Sequence, residues 1–306
     1  MRPRPLKPGD RLAVCAPAGP VHPGRLQEGV AALRGLGFDV QVGEGVLAGR
    51  RFTAGTVDRR VQELHDLFAD DAVAGVICAR GGAGASSLLA RLDQEVFRAH
   101  PKVFVGYSDA TALHLFLQRL GLVTFHGPMV ARELADGSFD RASLFIALTG
   151  EGAPYASAPD DLLALRPGLA EGRLRGGCLS LLAAACGTPW QLRAGGEPTI
   201  LFMEDVDEPP YRIDRMLRQL RDARVFEGVT GVVFGDMKGC SPPVDADWGL
   251  QDVLLEALDG LEAPVALGLS SGHTSSPFVT LPLGVRARLE CTADEARFAL
   301  LEPAVG

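Results

Sequence analysis

The sequence predicts an α/β protein of two domains: an N-terminal domain on a mostly parallel sheet with flanking helices, and a C-terminal β-rich α/β domain. Three observations predict it. From Arg11 to Leu120, short apolar runs alternate with stretches whose apolar residues recur at helical spacing, the mark of strand–helix–strand units. One run, Ala72 to Ala79 (AVAGVICA), is nearly continuous, as in a strand buried on both faces. Between 146 and 170, Gly150, Gly152, Pro154, Pro159, Pro167 and Gly168 gather with few large apolar groups, as in a linker. The domains so read are 1–145 and 171–306, with 146–170 between them; 306 residues suffice for two cores.

The elements follow in order. Residues 11–16 (RLAVCA) read as a strand closed by Pro17-Ala18-Gly19-Pro20. Leu26, Val30, Leu33 and Leu36 mark a helix, and Phe38 to Val42 a second strand. Val61, Leu64, Leu67 and Phe68 share one face of the next helix. The buried-type strand 72–79 runs into Arg80-Gly81-Gly82-Ala83-Gly84-Ala85, and a helix is expected after it. Val103 to Val105 is a strand, and from Thr111 the spacing of Leu113, Leu117 and Leu120 is helical. Leu122 to Phe125 is a short strand. In the second half, 179–185 and 211–220 read as helices, 199–203 and 229–234 as strands. A helix at 253–258 and strands at 265–269, 280–283 and 285–289 complete the pattern.

Composition narrows the function. Hydrophobic residues make up 47% and charged residues 22%, a soluble globular balance, and the net charge is −8. A net acidic chain argues against nucleic acid or an anionic membrane as the main partner. No apolar run approaches the roughly 20 residues of a membrane span. The N-terminus is basic, but Pro17 breaks its only apolar piece, so it is a poor signal peptide. A cytoplasmic protein is expected. Six cysteines stand singly and read as buried free thiols. The six histidines form no ligand-spaced cluster, so no metal site is expected.

Polar residues at strand ends supply the candidate chemistry, because function in such sheets gathers at the carboxyl ends of strands. Gly106-Tyr107-Ser108-Asp109-Ala110 stands where a strand changes to a helix. That is the setting of a nucleophile elbow, whose turn lifts a hydroxyl clear of the sheet; a capped helix start has the same local pattern. The Gly-rich segment 80–85 lacks the G-K-[ST] of a phosphate loop and the spacing of a dinucleotide fingerprint. By itself it is a tight turn; beside Ser108 it would add a second backbone donor for an oxyanion. Glu204 follows a buried-type strand, ahead of its rivals Asp205, Asp207 and Glu208. His273 lies in a loop between Gly272 and Thr274-Ser275-Ser276-Pro277. His114 and His126 read as structural. A serine needs a base, and a histidine base needs a carboxylate to hold its tautomer. Ser108, Glu204 and His273 stand in the chain order of the α/β hydrolases.

The motifs GDRLAVCAPAGPV, ICARGGAGA, KVFVGYSDATALH, TFHGPM, RGGCLSLL, GTPW, LFMEDVDEPPYRIDRML and GHTSSPFVTLPLG run nearly end to end. With them the chain resembles the LD-carboxypeptidase (muramoyltetrapeptide carboxypeptidase) family of serine peptidases. The resemblance implies Ser108 as nucleophile, Glu204 and His273 as its partners, and an oxyanion hole on the backbone N–H groups of Asp109 and Gly82. It implies two domains with the site in the groove between them. Two departures stand out: the family often has an aromatic residue at Ala83 and an asparagine at Cys178.

The implied activity is removal of the terminal D-alanine from peptidoglycan tetrapeptides, without metal or organic cofactor, by a homodimer whose partner is a muropeptide. Arg80, at the end of a buried-type strand, is the candidate reader of the terminal carboxylate; pairing with Asp109 is its structural alternative. Two other functions compete. An immunity peptidase of the same fold would cleave a peptide-nucleotide antibiotic and tends to carry an added aromatic loop, whereas Trp190 and Trp248 are the only tryptophans here and the linker carries only Tyr155. A non-catalytic peptide-binding protein would have no use for the triad.

Overall fold

A computed structural model describes residues 1–158 and 161–306. The strands, in chain order, are β1 (Arg11–Cys15), β2 (Asp39–Val42), β3 (Val73–Cys78), β4 (Val103–Gly106), β5 (Thr124–His126), β6 (Leu163–Arg166), β7 (Gly168–Cys178), β8 (Thr199–Glu204), β9 (Val229–Gly235), β10 (Val265–Leu269), β11 (Leu281–Leu283), β12 (Arg286–Cys291) and β13 (Ala296–Leu300). The helices are α1 (Pro23–Gly35), α2 (Val57–Ala69), α3 (Gln94–Ala99), α4 (Thr111–Arg119), α5 (Arg141–Thr149), α6 (Leu179–Ala184), α7 (Pro210–Asp222) and α8 (Leu250–Ala257).

The chain divides into two compact units. The first comprises Met1–Ala153, Ser276–Gly284 and Pro303–Gly306; the second comprises Pro154–Ser275 and Val285–Glu302. The division differs from the expected boundaries in two places. The C-terminal half is not continuous, since 276–284 and 303–306 belong to the first unit. The segment expected as a linker holds the end of α5, all of β6 and the start of β7. Pro159 and Asp160, inside that segment, lie outside the described residues.

In the first unit the sheet order is β11-β5-β4-β3-β1-β2. β1 to β5 pair in parallel, and β11 joins β5 antiparallel, Leu281 opposite His126. All six residues of β3 and all four of β4 are buried, as the continuous apolar runs require. Strand order reverses beside β1, so the turns after β1 and β3 face each other; Gly19 N–H donates to the Gly81 carbonyl at 3.1 Å. That is the place where open α/β sheets bind ligands. Phe68, Phe97 and Phe116 fill the core beside the sheet, with ring centroids 4.6 Å and 5.2 Å apart. The helix expected after the Gly-rich turn is α3, reached through two 3-10 turns at 85–87 and 89–91.

In the second unit the order is β13-β12-β7-β8-β9-β10-β6. β7, β8, β9 and β10 are parallel, while β6, β12 and β13 are antiparallel additions. α7 starts at Pro210, whose missing N–H costs nothing in a first turn. Its Ile213, Leu217 and Leu220 are buried. β8 is buried along its whole length and ends at Glu204.

Candidate active site

Ser108 is the one residue of its turn with a left-handed backbone, φ +59°. For a residue with a Cβ that conformation costs about 1–3 kcal/mol and persists only when the surroundings impose it. They do so from three sides. β4 ahead of it is buried. Tyr107 is buried, donates its hydroxyl to Glu133 Oε1 at 2.7 Å and packs edge-on against Phe278 at 4.9 Å. Behind the turn, His114 on α4 bonds the Gly106 carbonyl through Nε2 at 2.7 Å. Burial holds the His114 pKa down at about 4, only partly opposed by that bond. The ring is therefore neutral and donates from Nε2, fixing the end of β4. The serine turn is a strained strand-to-helix elbow: Ser108 carries the positive φ, and Asp109, the other candidate cap, turns its carboxylate to the Ala85 N–H of the Gly-rich turn.

The Gly-rich turn packs directly on the elbow. A Cβ on Gly81 would lie 2.9 Å from Ser108 Oγ and 3.5 Å from the Asp109 nitrogen. Only a glycine leaves that space open. Gly82, φ +121°, is exposed and backs onto Gly19. Asp109 is buried, which pushes its carboxyl pKa up, and its Oδ2 accepts from the Ala85 N–H at 2.8 Å. Its side chain thus ties the two turns together. The nearby guanidinium is Arg60, which bonds the Pro17 and Gly84 carbonyls. Arg80 makes no ion pair with Asp109; its Nη1 donates to the Pro20 carbonyl at 3.2 Å.

The second unit brings Glu204 and His273 together. Glu204 is fully buried at the end of β8. Its Oε2 lies 2.8 Å from His273 Nδ1 and also accepts the His273 backbone N–H at 2.9 Å. One carboxylate oxygen therefore fixes both ring and backbone. With the proton on Nδ1, the ring's Nε2 keeps its lone pair. Gly235 and Gly272 make the space: a Cβ on Gly235 would lie 2.8 Å from Glu204 Cβ, and one on Gly272, φ +90°, would overlap the carboxylate. The rival acids have other tasks. Asp205 accepts from the Ser180 and Val206 N–H groups, at 2.7 Å and 2.9 Å. Asp207 is exposed. Glu208 pairs with Arg212 at 3.5 Å.

Cys178 stands opposite Glu204 in the β7–β8 register. Burial, with the Glu204 and Asp205 charges, holds its thiol pKa well up, so it stays protonated. His126 is buried and stacks on Phe278 at 5.7 Å. Among the described residues, no three His, Cys, Asp or Glu side chains are grouped to hold a metal, and no helix is long and apolar enough to cross a membrane.

Sequence reasoning missed Gly81, whose signal was the glycine pair itself, and it missed Gly235, which nothing local distinguishes.

Family models match both halves of the chain. The LD-carboxypeptidase N-terminal domain matches residues 12–127, and the C-terminal domain matches 171–289. The chain belongs to the LD-carboxypeptidase family. A Bacillus subtilis (strain 168) relative named "Probable murein peptide carboxypeptidase" is 37% identical over 99% of this chain and 95% of its own length. The Pseudomonas aeruginosa "Murein tetrapeptide carboxypeptidase" is 32% identical over 86% of this chain and 88% of its own. Among solved structures, microcin C7 self-immunity protein MccF in complex with glutamyl sulfamoyl guanosine has a TM-score of 0.87 at 25% identity, covering 100% of each chain. The two-domain α/β architecture described above matches that structure.

Proposed function

We propose that the protein is a serine LD-carboxypeptidase that removes the terminal D-alanine from peptidoglycan-derived tetrapeptides. The observation that carries the reading is the buried Glu204 carboxylate holding His273 Nδ1 at 2.8 Å. That bond selects the tautomer a general base needs and stabilises the imidazolium formed when the base takes a proton. Family membership and the names of the Bacillus and Pseudomonas relatives support the substrate class.

In this reading Ser108 Oγ attacks the carbonyl carbon ahead of the D-alanine, and His273 Nε2 takes its proton. The oxyanion accepts bonds from the backbone N–H groups of Asp109 and Gly82. Gly81 keeps that space open. His273 then protonates the departing amine. Water, activated by the same imidazole, cleaves the acyl-enzyme and frees the tripeptide.

Arg80 is the proposed reader of the terminal carboxylate. The absence of any ion pair to it among the described residues supports this, since its structural alternative required one. A cytoplasmic homodimer belongs to the same proposal.

Incubation with defined tetrapeptides, followed by mass spectrometry, tests the reading. Loss of one D-alanine from the wild type, and none with Ser108→Ala, is the expected result. An aminoacyl sulfamoyl nucleoside belongs in the same assay, because the similar MccF structure is a complex with such a compound. Cleavage of it alone would replace the cell-wall reading with an immunity one. For Arg80, kcat/KM for acid and C-terminal amide is compared in the wild type and in Arg80→Met. An unchanged acid-to-amide ratio in the variant removes Arg80 from the assignment.

A further inference from the structure

β8 and β9 run side by side in parallel, with Met203 opposite Phe234. Their next residues bring acids to neighbouring strand ends: Glu204 from β8, and Asp236 directly after Gly235 of β9. Glu204 holds His273. Asp236 holds the two residues after that histidine: its Oδ2 accepts the Thr274 hydroxyl, and the Ser275 N–H at 3.2 Å. Asp236 is half-buried and makes no ion pair among the described residues. A carboxylate there without a cation is explained by the two donors it receives.

Gly272 ahead of the histidine has φ +90°, and Ser275 to Pro277 are exposed. Ser271 N–H bonds the Leu269 carbonyl at 2.6 Å, which fixes the entry to the loop. Asp236 helps to hold its exit. An imidazole between two pinned backbone points can keep one orientation, and catalytic geometry is sensitive to shifts of about 1 Å.

We propose that Asp236 is a positioning residue for His273, acting through Thr274 and Ser275. It acts without touching substrate or ring, and the role rests on the reading of His273 as the base. Asp236→Ala removes both of the bonds to Thr274 and Ser275 and loosens the backbone directly after His273. Asp236→Asn keeps an acceptor oxygen, Thr274→Val removes one donor, and Thr274→Ser keeps it.

The test measures kcat and KM on the tetrapeptide, and by proton NMR the solvent-exchange rate of His273 Nδ1–H. For Asp236→Ala the expected result is a kcat about 10- to 100-fold lower, KM within about threefold, and ring-proton exchange faster by about tenfold or more. Thr274→Val falls in the same direction by less, Thr274→Ser stays near wild type, and the double variant Asp236→Ala/Thr274→Val is no worse than Asp236→Ala. A folded Asp236→Ala protein with wild-type kcat and exchange overturns the proposal. So does a Thr274→Ser enzyme as impaired as Thr274→Val, which decides the matter if Asp236→Ala does not fold. If the wild type cleaves no tetrapeptide, the functional reading fails, and the exchange rate still decides for or against Asp236.

Discussion

The Gly272 backbone lies against the Glu204 side chain so closely that a methyl group on Gly272 would overlap the carboxylate. The same residue has φ +90°, which side chains with a Cβ rarely adopt. Gly272→Ala should therefore push Glu204 away from His273 with neither of them substituted. The expected kcat/KM is lower by about 10² or more, approaching that of Glu204→Ala. Steady-state rates of the two variants, with circular dichroism to confirm folding, check it.

Ser108 carries both chemistry and strain. Ser108→Ala should remain folded and lose roughly 10⁴–10⁶ in kcat. Ser108→Gly should be equally inactive but more stable than Ser108→Ala by about 1–2 kcal/mol, because glycine accepts the left-handed backbone freely. Urea denaturation midpoints distinguish them; equal midpoints would mean that the turn relaxes when the hydroxyl is gone.

Gly81→Ala places a methyl group 2.9 Å from Ser108 Oγ, on the side of the Asp109 N–H. The proposed oxyanion space is then filled and Ser108 itself is crowded, its Cβ and Oγ both 2.9 Å from the added methyl. Removing oxyanion donors typically costs about 10²–10³ in kcat, and a blocked hole should cost at least that. Fluorophosphonate labelling of Ser108 should slow in parallel. A Gly81→Ala enzyme that labels at the wild-type rate would place the hole elsewhere.

His114 makes stability depend on pH. Its folded pKa of about 4 lies below the unfolded 6.5, so the unfolded chain binds the extra proton between those values. Stability from this group is present above pH 6.5 and lost as pH falls toward 4. The loss approaches about 3 kcal/mol across the window. His114→Gln keeps a donor for the Gly106 carbonyl and cannot titrate. Its denaturation free energy should fall less steeply with acid than the wild type's, by up to about 1.4 kcal/mol per pH unit.

What could be read from sequence depends on how loudly each residue announces its surroundings. β3 and β4 were visible because burial on both faces demands unbroken apolar runs. Glu204 stood out because Thr199 to Met203 is such a run and the glutamate ends it. β7 was hidden. It includes Gly172 and Gly176, which lie so close to the neighbouring backbone at Pro198 and Phe202 that no side chain fits. Glycines required by close packing look, in sequence, like glycines of a loop. α5 was lost to the same linker reading, although Asp140 caps it through the Ser143 N–H. Gly81 and Asp236 were missed because their roles lie in contacts distant along the chain, Gly81 with Ser108 and Asp236 with Thr274 and Ser275.

The antiparallel strand β11 closes one edge of the first unit's sheet, yet it is encoded after nearly the whole second unit. A ribosome making this chain releases β1 to β5 long before the strand that caps β5. Until Leu281 to Leu283 emerge, the β5 edge has unpaired backbone donors and acceptors, an invitation to pairing with another nascent chain. The Pro154–Ser275 segment of the second unit thus delays completion of the first unit's sheet. A fragment ending at Ala153 should be prone to aggregate, and one in which a short turn joins Ala153 to Ser276–Gly284 should be the smallest soluble form of the nucleophile-bearing half.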